Sequence, residues 1–210
     1  MSLTILKVSN LSKTFGGVVA TDHLNLEIKH GELHAIIGPN GAGKTTLIAQ
    51  LFGETLPDSG EIIFREENIT ALPPFKRSRL GIARSFQITS LMLEMDVIDN
   101  ITLATLAQDN HSYKFWKPAR EDIDLRKSAL NALKEIGLDE RAFEKVGNLS
   151  HGEHRQLEIA MALATQPLLL LLDEPMAGMG TEEGRTIFKI LQKLKKRKTI
   201  LLIEHDMDVV

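Results

Sequence analysis

Gly38-Pro39-Asn40-Gly41-Ala42-Gly43-Lys44-Thr45 decides how the rest of the chain is read. It fits the pattern G-x-x-x-x-G-K-[ST] at every fixed position. The apolar run from Leu33 to Ile37 predicts a strand feeding it, and the pattern from Lys44 to Leu51 predicts a helix leaving it. Glycines permit left-handed backbone angles, so successive N–H groups can converge on phosphate oxygens. The start of the helix adds a partial positive charge. Lys44 would reach the β- and γ-phosphates of a nucleoside triphosphate, and Thr45 would offer its hydroxyl to Mg2+. Gly38, Pro39, Asn40, Gly41, Ala42 and Gly43, with Thr46 after them, are the remaining candidate phosphate contacts. The glycine spacing departs from G-x-G-x-x-G, which argues against a dinucleotide fold.

Downstream, Leu168 to Leu172 is apolar without alternation, as expected of a strand covered on both faces. It ends in Asp173-Glu174-Pro175. A carboxylate at the C-terminal end of a parallel strand faces the ligand crevice. Asp173 is the candidate to hold Mg2+ through water, and Glu174 to orient and deprotonate an attacking water. A helix from His151 to about Thr165, burying Leu157, Ala160, Met161 and Ala164, precedes this strand. A helix from Thr181 to about Lys195 and a strand from Thr199 to Ile203 follow it. Strand–helix–strand order with buried strands implies a parallel α/β sheet.

The N-terminal part reads as short strands, Ile5 to Val8, Val18 to Ala20 and Leu24 to Ile28, punctuated by Gly16-Gly17 and His30-Gly31. Further strands are expected at Glu61 to Phe64 and Ile82 to Phe86, with a short helix opening at Pro73-Pro74. Residues from about 88 to 150 read as mostly helical, with a stripe of Leu125, Ala129, Ala132 and Ile136 at helical spacing. The stretch around Trp116 reads as a surface excursion.

Composition bounds the alternatives. The 210 residues are 43% hydrophobic and 25% charged, with a net charge of -3, which suits one globular domain and gives no basic excess for nucleic acid. The absence of cysteine excludes disulfides and thiolate metal sites. The cluster Lys193, Lys195, Lys196, Arg197 and Lys198 reads as a solvated helix end. The longest apolar run is far short of a membrane span, and no signal peptide is visible, so a soluble, cytoplasmic chain is expected.

Leu149-Ser150-His151-Gly152-Glu153 is similar to the L-S-G-G-Q signature of ABC ATPases. With the phosphate loop, Gln87, Asp173-Glu174 and His205, the whole chain resembles an ABC nucleotide-binding domain. His151 stands at a glycine position and Glu153 at the glutamine, while Ser150 and Gly152, which carry the phosphate contact in that family, are kept. The resemblance implies an ATP- and Mg2+-dependent ATPase. Gln87 then looks like the Q-loop glutamine near Mg2+ and the membrane partner, His205 like the switch histidine near the γ-phosphate, and Phe15 like the aromatic that stacks on adenine. Phe15 could equally be core. Met176-Ala177-Gly178-Met179 occupies the D-loop without the family's frequent aspartate.

Ser85-Phe86-Gln87, Leu157-Glu158-Ile159-Ala160 and Glu204-His205-Asp206-Met207 look like the ATPases of branched-chain amino acid uptake, and urea or amide uptake ATPases look similar. The family implies a second ATP-binding subunit, integral membrane permease subunits and a place at the cytoplasmic face of the membrane. It also usually continues past a switch histidine, so the end at Val210 reads as a truncation that leaves a sheet edge exposed. The rivals are an ABC-type ATPase acting on nucleic acid or ribosomes, which typically carries two cassettes or long coiled-coil inserts, and a phosphate-loop kinase. The expected fold is an α/β phosphate-loop NTPase of ABC type, with an N-terminal antiparallel β portion and a helical subdomain near 88–150.

Overall fold

The computed structural model describes residues 3–85, 91–108, 122–195 and 197–205. Gln87, the stretch around Trp116 and Asp206 to Val210 lie outside them. The chain divides into two compact units: Met1–Arg84 with Leu168–Glu174 and Lys193–Val210, and Ser85–Pro167 with Pro175–Gln192.

The first unit carries two sheets. Strands β1 (Thr4–Phe15), β2 (Val18–Lys29), β4 (Ser59–Phe64) and β5 (Glu67–Asn68) form an antiparallel sheet in the order β2-β1-β4-β5. Strands β3 (Leu33–Ile37), β6 (Ile82–Arg84), β7 (Leu169–Asp173) and β8 (Thr199–Glu204) form a parallel one in the order β3-β8-β7-β6. β1 and β2 are longer than the short apolar runs suggest, because their ladder continues through irregularities between Val8 and Leu11. Asn10 and His23 adopt positive φ in these strands, so the apolar pattern breaks where the pairing does not. β6 ends at Arg84, short of the expected Phe86, which lies outside the described residues.

Helix α1 (Lys44–Phe52) joins the sheets. Its Leu47, Ile48 and Leu51 share one core with Leu6, Val8 and Ile62 of the antiparallel sheet and Leu169, Leu171 and Leu201 of the parallel one. All residues of β7 and β8 are buried, the condition their unbroken hydrophobicity predicts. Helix α2 (Pro74–Leu80) begins at the Pro73-Pro74 pair, with proline in the first turn where its missing N–H costs nothing. From this helix the buried Arg77 donates to the carbonyls of Gln50 and Leu51 at the end of α1, and of Thr70 and Leu72.

The second unit packs α3 (Val97–Gln108), α4 (Ile123–Ile136) and α5 (His151–Ala164) against one another and includes most of α6 (Thr181–Leu194). Leu125, Ala129, Ala132 and Ile136 are all buried along α4. In α5, Leu157, Ala160 and Ala164 are buried, whereas Met161 is half-buried at the edge of the apolar face.

Candidate functional site

Apart from Phe15, the functional candidates in the first unit follow the ends of parallel strands. The phosphate loop follows β3, Asp173 and Glu174 end β7, and His205 follows β8, which lies between them. Gly43 has φ 83°, and a Cβ there would fall 1.8 Å from the Ala20 carbonyl oxygen of β2, so any larger residue forces the loop open. Gly41 is also left-handed, at φ 81°, with open space around it. Among the described residues no side chain caps α1, which leaves its first N–H groups without a side-chain acceptor.

The Lys44 side chain is buried, and its ammonium donates to the Gly38 and Pro39 carbonyls at 2.6 and 3.0 Å. It lies 3.9 Å from Glu174 Oε1, which brings the loop lysine and the candidate base to one point. Glu174 has φ 47°, an uncommon conformation for a non-glycine residue, held in part by its N–H donating to the Ile203 carbonyl at 2.9 Å. Thr45 is exposed and Thr46 half-buried at the start of α1, beside the exposed Pro39, Asn40 and Ala42.

Asp173 is fully buried, and burial pushes its carboxyl above the usual range, partly offset by the Arg84 guanidinium. Arg84 Nη2 donates to Asp173 Oδ2 at 3.2 Å, and its Nη1 pairs with Glu54. Among the described residues Asp173 Oδ1 has no hydrogen-bond partner. A buried acceptor without a partner is the kind of group that a metal-bound water satisfies, so the donor set fits Mg2+. Sequence reasoning missed Arg84. The available signal was a charge in the core strand Ile82-Ala83-Arg84, but its partner depends on register.

Phe15 is 52% exposed at the end of β1, which removes the core alternative. Lys13 Nζ stands 5.4 Å from its ring centroid and is itself held by Asp58 at 2.7 Å. His205 is exposed, with Nδ1 3.9 Å from the buried Glu204.

In the second unit, Ser150 caps α5. Its hydroxyl accepts from Glu153 N at 3.3 Å, and the Glu153 carboxylate accepts from Ser150 N at 2.8 Å. Glu153 thus closes a reciprocal capping box with Ser150. Burial works against the Glu153 charge, but the Ser150 hydrogen bonds and Arg141 outweigh it and hold the carboxyl below its usual range. Gly152 N donates to Glu183 Oε1 at 3.2 Å, and Gly180 N to Glu183 Oε2 at 3.3 Å, so one carboxylate ties the starts of α5 and α6. A Cβ on Gly152 would meet that carboxylate at 2.9 Å.

A glycine-rich loop opening an uncapped helix, next to a strand ending in a carboxylate pair, defines a phosphate-loop nucleoside triphosphatase. The ABC transporter family model matches residues 21–177. The chain is 38% identical over its whole length to the high-affinity branched-chain amino acid transport ATP-binding protein LivG of Escherichia coli K12, covering 85% of that protein. It is 38% identical to the corresponding protein BraF of Pseudomonas aeruginosa, covering 100% of the chain and 85% of that relative. Among solved structures, it matches the ADP conformation of an ATP-binding cassette of an ABC transporter with a TM-score of 0.87 at 32% identity, covering 100% of this chain and 84% of the other. It matches a dimeric bacterial ABC transporter cassette with a TM-score of 0.81 at 28% identity, covering 97% and 89%. The chain belongs to the ABC transporter family, as one of its ATP-binding ATPase subunits.

Proposed function

We propose that the chain hydrolyses ATP to drive uptake of branched-chain amino acids, as the motor subunit beneath a membrane permease. The observation that carries the chemistry is the approach of Lys44 to Glu174, 3.9 Å apart at the ends of two parallel strands. ATP lies with its phosphates along Gly38 to Thr46, where backbone N–H groups and the Lys44 ammonium stabilise the charge that develops on the transferred phosphoryl group. Glu174 orients the attacking water and accepts its proton. Thr45, Asp173 and Gln87 would hold Mg2+, which would supply positive charge against the phosphates. Phe15 supplies an exposed face for adenine, and His205 contacts the γ-phosphate.

The working unit is a pair of such subunits, in which Ser150 and Gly152 of one copy meet the ATP held by Lys44 of the other. The likeness to a dimeric cassette supports this pairing. The transport relatives support the solute class, and the permease partner and the cytoplasmic face of the membrane are what the family resemblance implies. No helix among the described residues is long and apolar enough to cross a membrane.

Uptake of labelled leucine, isoleucine and valine, measured in source cells with and without this chain, tests the reading. Loss of that uptake, restored by the wild-type chain but not by Glu174→Gln, is expected. Intact branched-chain uptake with loss of urea or amide uptake would overturn the solute assignment.

A further inference from the structure

Arg84 closes β6, and its Cα pairs with Leu171 of the parallel neighbour β7. Asp173 lies two residues further along β7, roughly 7 Å ahead at the usual strand rise. A long side chain spans that gap, and Arg84 does so, with its Nη2 3.2 Å from Asp173 Oδ2. Its other arm pairs with Glu54, in the turn that follows α1. A planar guanidinium held by two carboxylates has its orientation fixed, and so fixes theirs. The Asp173 side chain is 0% exposed, and the Arg84 side chain 7%. Yet Asp173 Oδ1, equally buried, has no partner among the described residues. A purely structural ion pair has no need to leave one oxygen of a buried carboxylate unsatisfied.

We propose that Arg84 is a positioning residue that pins Asp173 by Oδ2 and thereby presents Oδ1 to the divalent cation. This deepens the reading of Asp173 as the carboxylate on the Mg2+ side and rests on it. Glu54 braces the strut from the far end, so the fork joins the turn after α1 to the carboxylate at the end of β7. The phosphate loop is a separate set of contacts, through Lys44 and the backbone, and does not pass through Arg84.

The test is binding of a fluorescent ADP analogue to the full chain, first without metal and then across a MgCl2 titration. Arg84→Met should raise the Mg2+ midpoint by about 10-fold or more, the usual effect of removing a partner that orients a metal ligand. Metal-free affinity should change by less than about 2-fold, since loop contacts dominate it. Arg84→Lys reaches one carboxylate but not both, and should fall between wild type and methionine. Glu54→Gln should shift the midpoint in the same direction by less, and its half-exposed site keeps the test available if Arg84→Met fails to fold. Asp173→Asn separates the two claims. An unchanged midpoint in Asp173→Asn would remove Asp173 as the metal carboxylate. A shifted midpoint there, with an unchanged or lowered one in Arg84→Met or Arg84→Lys, would overturn the role of Arg84, as would lost thermal stability with no change in Mg2+ dependence.

Discussion

At the scale of single residues, Glu174 has the most to do and the least ordinary backbone. Its φ of 47° carries of order 1 kcal/mol or more of strain, which the bond to Ile203 and the approach of Lys44 help to hold. Glu174→Gln keeps the shape and removes the base, so ATP affinity should stay nearly intact while steady-state hydrolysis drops about 100-fold or more. Near-normal turnover would remove Glu174 as base. Phe15 can be separated from a core role because it is exposed. Phe15→Ala should weaken ATP by about 1–2 kcal/mol in equilibrium binding with little change in melting temperature. A lower melting temperature with unchanged affinity would show packing instead of stacking. Glu174 could be singled out in the sequence because it follows a carboxylate at the end of a buried strand downstream of a phosphate loop, whereas Phe15 was singled out only by the family resemblance. Arg84 and Glu183 were not, since each gains meaning from a partner 89 or 31 positions away that only strand register or helix packing brings near.

At the scale of elements, the start of α5 is held by reciprocal bonds between Ser150 and Glu153, with Arg141 Nε 3.2 Å from the same carboxylate. Ser150→Ala should cost about 1 kcal/mol in denaturant unfolding, the usual worth of a cap. Because the folded state holds the Glu153 carboxyl below its ordinary value of 4.5, the linked stability is present above that value and is lost as pH falls through the folded one. Glu153→Gln should therefore flatten the acid limb of the stability profile below about that pH. An identical acid limb in both proteins would exclude Glu153 as its source. Arg77 clamps the other end of the phosphate-loop helix, with burial pulling its guanidinium down to about 10, still charged at neutral pH. Arg77→Met removes a donor from four backbone carbonyls, of which that of Gln50 keeps the Gly53 N–H, and should lower stability by about 3 kcal/mol, read from the denaturant midpoint.

Element types followed from the sequence wherever one period ran unbroken, as in α4 and β8. The lengths of β1 and β2 did not, because bulges shift which face is apolar while backbone pairing continues. The buried Arg77 was equally hidden, since a charge inside α2 reads as surface until the carbonyls it satisfies are known.

At the scale of the whole molecule, the candidate groups are distributed over both units. Lys44 and Glu174 belong to the first, Ser150 and Gly152 to the second. Hydrolysis should require two copies, each completing the phosphate site of the other. Turnover per chain should then rise with protein concentration in the dilute range. Glu174→Gln, which binds ATP without consuming it, should accumulate as dimer when ATP is present. Both effects follow if the γ-phosphate joins the Lys44 of one copy to the Ser150 of the next.

The most direct measurement is the steady-state ATPase rate of two inactive variants, alone and mixed. Ser150→Arg fills the second phosphate contact with bulk, and Lys44→Ala removes the loop charge. Each should be inactive alone. In a mixed dimer one site has an intact Lys44 from the first variant and an intact Ser150 from the second, so part of the wild-type rate should return. If each chain hydrolyses ATP by itself, the mixture will stay as inactive as its components, and the wild-type rate per chain will not change on dilution.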